Sequence, residues 1–149
     1  MTAVRNTLLA ACAVIAMTSA AWAQAAPPVV NPNTATEKEL LSLPHMTAPL
    51  AKSIVSARPF KTILNLHAVV SPVLNEAQRK ELYVRLFVPI NLNTATRDEI
   101  MLVPGMGNRM AHEFEEYRPY KNIEQFRKEI GKYVNQAEVA RFEKYVTLQ

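Results

Sequence analysis

The groups in this chain best placed to do chemistry belong to the backbone. Val103-Pro104-Gly105-Met106-Gly107-Asn108-Arg109-Met110-Ala111 sets two glycines one residue apart, directly after a proline. Glycine reaches positive φ without a Cβ penalty, so the chain can fold back tightly here. Asn108 reads as the N-cap of the helix that follows. Such a hairpin would leave the first N–H groups of that helix unpaired and outward-facing, a ready site for a phosphate. The competing use of the same glycines is turn geometry alone. Side-chain chemistry is thin by comparison. His45, His67 and His112 lack metal-ligand spacing, so no metal site is expected. Asp98 and Glu99 suit a helix N-terminus rather than a catalytic pair. No Ser/His/Asp signature, phosphate-binding loop or metal-hydrolase motif occurs. Neither an enzyme, a cofactor nor a small-molecule substrate is expected.

The elements that must position the hairpin are visible as an internal repeat with an offset of 60 residues and no gap. Asn31-Pro-Asn-Thr-Ala-Thr36 returns as Asn91-Leu-Asn-Thr-Ala-Thr96. Leu43-Pro44-His45-Met46 returns as Val103-Pro104-Gly105-Met106, and Arg58-Pro59-Phe60-Lys61 as Arg118-Pro119-Tyr120-Lys121. A match of this kind means one supersecondary unit built twice. Each copy reads as four short helices. Thr36 with Glu39, and Thr96 with Glu99, form capping boxes. They open a helix over Glu37 to Leu43, or Arg97 to Val103. A second helix runs to Arg58 or Arg118, where proline stops it. Thr62 and Asn122 cap a third helix, and Asn75 and Asn135 a fourth. Leu86 to Leu92 reads as an extended connector containing Pro89. No run alternates long enough to demand a sheet, so the expected fold is all-α, with the two copies packed on each other.

The first segment reads differently. Arg5, an apolar run from Leu8 to Met17 and the small-x-small site Ala21-Trp22-Ala23 have the layout of a secretory signal peptide over residues 1–23. Cleavage after Ala25 is a close variant. Two rivals are an uncleaved membrane anchor, although the run falls short of the roughly 20 residues a span needs, and a lipoprotein signal ending at Cys12. Residues 24–30 form an Ala/Pro linker, 31–90 the first unit and 91–149 the second. Cys12 is the single cysteine, so the remainder offers no disulfide and no thiolate. A net charge of +4 over 149 residues is modest. From Asn31 to Ile90 there are 7 basic and 4 acidic residues, whereas from Asn91 to Gln149 there are 9 of each. This is not the footprint of a strongly cationic DNA binder.

Asn-x-Asn-Thr-Ala, a capping box, Pro-Gly-Met-Gly and Tyr-Arg-Pro-Tyr-Lys together resemble the ComEA-like helix-hairpin-helix family of bacterial competence. The resemblance covers Asn91 to Leu148 well and Asn31 to Val88 more loosely. It implies tandem helix-hairpin-helix units in an exported or membrane-anchored, periplasmic protein that takes up double-stranded DNA. It implies that Gly105, Met106, Gly107 and Asn108 offer backbone N–H groups to a phosphate, with Arg109 the nearby cation. The family often has lysine at the position of Met110; here it is missing. Glu113, Glu115 and Glu116 are poor neighbours for a polyanion unless they face away.

Copy one departs further. His45 and Thr47 replace the glycines and Pro49 removes an N–H, so its hairpin is expected to be rebuilt and poor at holding phosphate. It does carry net positive charge, and Lys52, Arg58 and Lys61 are candidate auxiliary DNA contacts. Lys132 in the last hairpin is another. Tyr117, Tyr120, Tyr133 and Tyr145 fall at core or hairpin-adjacent positions, not in a stripe for single strands. A more distant resemblance, to the PsbU-type extrinsic subunit of photosystem II, implies the rival function. That is a periplasmic interaction module docking on a membrane complex without binding DNA. Fold alone does not choose between them.

Overall fold

The offset of 60 governs the structure. A computed structural model describes residues 28–149; the signal peptide expected over 1–23, Cys12 and linker residues 24–27 lie outside the described residues. Copy one comprises α1 (Glu37–Leu41), α2 (Ala48–Ser56), α3 (Ile63–Val70) and α4 (Glu76–Tyr83). Copy two repeats them as α5 (Arg97–Met101), α6 (Asn108–Glu116), α7 (Ile123–Ile130) and α8 (Gln136–Glu143). The fold is all-α apart from two-residue pairings. β1 (Ile90–Asn91) lies parallel to β2 (Val146–Thr147), and in copy one Val30 bridges Leu86 in the same sense. The extended connector therefore closes each unit by joining its entrance to its exit.

Local chemistry explains the helix starts. Thr36, Thr47, Thr62, Asn75, Thr96, Asn122 and Asn135 each accept a hydrogen bond from the N–H three residues on. The helix ends need correction. α1 and α5 stop two residues before the expected Leu43 and Val103. Ser42 and Leu43, and likewise Leu102 and Val103, donate to carbonyls three residues back, which tightens the last turn beyond α-geometry. α2 and α6 end at Ser56 and Glu116, two residues before the arginines, whose peptide bonds to Pro59 and Pro119 are cis.

The repeated motifs bind each other across the unit. The Asn33 carboxamide donates to the Phe60 carbonyl at 2.9 Å and accepts from the Phe60 N–H at 2.7 Å. Asn93 treats Tyr120 identically, at 2.9 and 2.7 Å. The Arg58 guanidinium donates to the carbonyls of Pro32 and Ala35 at 2.6 and 2.5 Å. Arg118 donates to Leu92 and Ala95 at 2.6 and 2.8 Å. These side chains satisfy loop carbonyls that no helix could. Beneath them lies one continuous core: Leu40, Ile54, Ile63, Leu66 and Leu82 in copy one, Ile100, Phe114, Phe126 and Ile130 in copy two. Phe87 and Tyr145 stack edge to face at 5.1 Å across the join, and the Tyr145 hydroxyl donates to the Val84 carbonyl. The copies do pack on each other.

Removing the carboxamide in Asn93→Ala deletes two part-buried hydrogen bonds at once. At about 1–1.5 kcal/mol each, the expected loss is ~2–3 kcal/mol in urea unfolding. A loss below ~0.5 kcal/mol would show that this contact does not hold the unit together.

Candidate nucleic-acid interface

The hairpin of copy two is built by Val103–Gly107 between α5 and α6. Gly105 takes the left-handed conformation, φ +73°, as the tight reversal requires. Gly107 does not; its φ of −118° and ψ of 164° are extended. Gly107, not Asn108, is the N-cap of α6, and Asn108 is the first helical residue. Having no side chain, Gly107 cannot cap. Among the eight described helices α6 is therefore the one whose first turn receives no side-chain acceptor. The N–H groups of Asn108, Arg109 and Met110 stay free, while Ala111 N–H bonds to the Gly107 carbonyl. Met106 corrects the expected donor set: its N–H is donated to the Val103 carbonyl at 2.9 Å.

Copy one tests what the glycines are for. Its hairpin is not rebuilt. His45 takes φ 59° where Gly105 has +73°, and Thr47 takes φ −112°, ψ 159°, close to the angles of Gly107. The backbone is preserved and the donors are lost instead. Thr47 caps the Leu50 N–H, and Pro49, which matches Arg109, has none. One backbone thus appears twice, closed in copy one and open in copy two.

Charge follows the same division. The Arg141 guanidinium from α8 donates to the Pro104 carbonyl and sits under Gly105, where an added Cβ would fall 2.8 Å from its Nη2. The matching residue in copy one is Glu81, 2.7 Å from His45 Nε2. An arginine, itself paired with Glu138 at 2.6 Å, underlies the open hairpin and a carboxylate the closed one. Arg97, at the start of α5, reaches the Asn108 carbonyl at 3.2 Å and pairs with Glu115 at 2.6 Å. Sequence reasoning missed both arginines, because neither lies in the hairpin motif.

The other candidates separate clearly. Gly105, Gly107, Asn108 and Arg109 come together with Arg141. The Arg109 guanidinium lies 5.8 Å from the centre of the Tyr133 ring, and Lys132 Nζ lies 4.9 Å from that of Tyr117. The two tyrosine hydroxyls are 2.8 Å apart, so Arg109 and Lys132 flank one aromatic pair; Lys132 also pairs with Glu129. Arg58 is withdrawn as a DNA contact, since its guanidinium is committed to Pro32 and Ala35. Lys52 and Lys61 are exposed, but Lys61 lines a separate cleft with Asn91 and Glu99. Arg79 and Lys80 of α4 face the hairpin, Arg79 donating to the Leu74 carbonyl at 2.5 Å and Lys80 pairing with Glu76 at 2.6 Å. With His67, Tyr83 and Val84 they form the far wall of a groove of about 640 Å³ whose near wall is Met101–Gly107. Of the three glutamates, Glu113 is buried, Glu115 is neutralised by Arg97, and Glu116 is exposed beside His112.

This geometry defines a tandem helical repeat presenting one uncapped helix N-terminus beside arginines, with α4 across a groove. Residues 86–132 match the family model of the helix-hairpin-helix motif. The match spans the end of copy one and most of copy two, so the open hairpin belongs to a helix-hairpin-helix motif. The chain is also similar to the endonuclease/exonuclease/phosphatase family domain-containing protein 1 of Mus musculus and of Rattus norvegicus, each 32% identical over 136 residues. The Bos taurus protein is 30% identical over 139. Each match covers 64% of this chain, which spans only 24% of the relative's length. No solved structure matches.

Two measurements probe the site's construction. Gly105→Ala must hold an L-residue at φ +73° and displace Arg141, whereas a Cβ on Gly107 meets nothing within 4 Å. Gly105→Ala should lose ~1–2 kcal/mol in urea unfolding and Gly107→Ser, which adds a Cβ and a better cap, should lose none; equal losses would contradict the assignment. His67 in the groove, 2.8 Å from the Tyr83 hydroxyl, has its pKa lowered from 6.5 by burial and then by Arg79. The unfolded chain therefore takes up the proton first. Stability is full above 6.5 and falls as pH drops through the lowered folded value. His67→Gln should flatten this acid limb in melts taken from about pH 7.5 to 5, and an unchanged limb would place its origin elsewhere.

Proposed function

We propose that this chain binds double-stranded DNA through its phosphates, without sequence preference, at the open hairpin of copy two. The observation that carries the reading is the missing cap. Seven described helices close their first turn with Thr or Asn, and α6 leaves three N–H groups to an external acceptor. The helix dipole and Arg109 favour an anion there, while Arg141 is held by Glu138 at 2.6 Å and by the Pro104 carbonyl. A helix-hairpin-helix motif is commonly a nucleic-acid binder, which agrees. The gathered groups are donors and cations, with no nucleophile among them, so the contribution is binding rather than catalysis. That also suits a segment matching a quarter of relatives named for a nuclease and phosphatase domain. Within this reading the chain is an exported, ComEA-like protein of DNA uptake, supported by the leader pattern and by the Asn-x-Asn-Thr-Ala and Pro-Gly-Met-Gly motifs.

A single open hairpin implies weak affinity, ~10⁻⁴–10⁻⁶ M at physiological salt. The double variant Gly107→Thr/Arg109→Pro gives α6 the residues with which copy one closes the same backbone, so it should fold as the parent does. Its duplex binding should fall by roughly 100-fold, and the slope of log K against log salt should shrink by about one unit. Binding that persists in this variant moves the interface to the basic residues of copy one. No binding by the parent at low salt overturns the DNA reading and leaves the protein-docking function.

A further inference from the structure

The join between the copies also describes a second surface. Copy two docks by laying α5 on α3, and Met101–Gly107 faces His67, Arg79, Lys80 and Tyr83. Shifted by 60, the receiving residues become Arg127, Val139, Ala140 and Glu143. These line a groove of about 770 Å³ between α7 and α8 that nothing covers among the described residues. Shifted the other way, the presented segment becomes Leu41–Thr47, which has the same hairpin backbone. Leu41 is 44% exposed, and its counterpart Met101 lines the internal groove. The chain thus carries, in its first and last helix pairs, both halves of a contact it already makes once within itself.

The composition of the two receiving faces sets them apart. Stacked repeats normally end on a polar outer face, because a terminal unit has no neighbour to cover it. Here the internal junction has Arg79 and Lys80, whereas the open end has Val139 and Ala140 at those positions. At these two positions the open end is apolar, while Arg127, Lys128 and Glu143 also line its groove.

We propose that a second copy of this chain docks Leu41–Thr47 into the α7–α8 groove, head to tail, repeating the placement of copy two on copy one. Such a contact is heterologous. Each added molecule leaves one free head and one free tail, so the assembly grows as an open chain rather than closing as a dimer. The proposal does not depend on DNA binding.

Ala140→Glu spoils the tail and Leu41→Glu the head; both positions are exposed, and circular dichroism with thermal melts checks that each variant folds. In sedimentation velocity the parent's average mass should rise with concentration past that of a dimer. Each variant alone should stay monomeric. Mixed in equal amounts they should form a dimer and stop, because one intact head meets one intact tail. A parent that is monomeric at every concentration overturns the proposal. So does association untouched by either variant, or a dimer that mixing fails to restore. Association seen only after deletion of residues 1–27 assigns the groove to that segment, and overturns it equally.

Discussion

Everything in each unit hangs on one clamp, an arginine and an asparagine that tie the opening loop to the corner between the second and third helices. Asn93 closes on both backbone groups of Tyr120, and Arg118 closes on the carbonyls of Leu92 and Ala95; Asn33 and Arg58 do the same in copy one. Helices of five to nine residues are marginal on their own. They persist because loops 26 and 27 residues apart in sequence are held at fixed distances while the core fills beneath them. The clamp spends a full cationic charge on backbone carbonyls, which removes Arg58 and Arg118 from the surface the charge count credits to them.

With the scaffold fixed, a few residues decide what each hairpin can do. Thr47 against Gly107 and Pro49 against Arg109 convert one backbone from closed to open, and Arg109 adds a cation beside it. The left-handed residue is not the discriminating feature, since His45 adopts that conformation as well. The effective change is the removal of a cap. A phosphate needs donors that the fold has left unsatisfied, and a threonine at the N-cap satisfies one before any ligand arrives.

Much of this was legible in the sequence because capping is local. Thr36 with Glu39 and Thr96 with Glu99 announce helix starts within four residues, and both boxes form. Helix ends were less legible, because the last turns tighten under packing from elsewhere in the unit. Asn108 looked like a cap because Asn is a good one; the reversal at Gly105 instead placed Gly107 in the extended position that a cap occupies. Arg141 was invisible from the motif, lying 37 residues from Pro104 in sequence. A signal did exist. At the offset of 60, residues alike in both copies, such as Arg58 and Arg118, build the scaffold, whereas residues that differ in pairs, such as His45 with Glu81 and Gly105 with Arg141, mark the site. Charge totals cannot make that distinction.

The short parallel pairings carry a mechanical meaning. The chain enters copy one at Val30 and leaves at Leu86, side by side and pointing the same way, held by Val30 N–H to Arg85 and Phe87 N–H to the Val30 carbonyl. Copy two is clasped likewise by Ile90 N–H to Tyr145 and Leu92 N–H to Thr147. Tension applied along the chain would load these bonds in shear, all together, before it reached any helix. Only the few residues between the clasps would straighten. Each unit is thus a closed loop that transmits force past its hairpins without passing it through them, so the hairpins keep their shape while the chain is pulled.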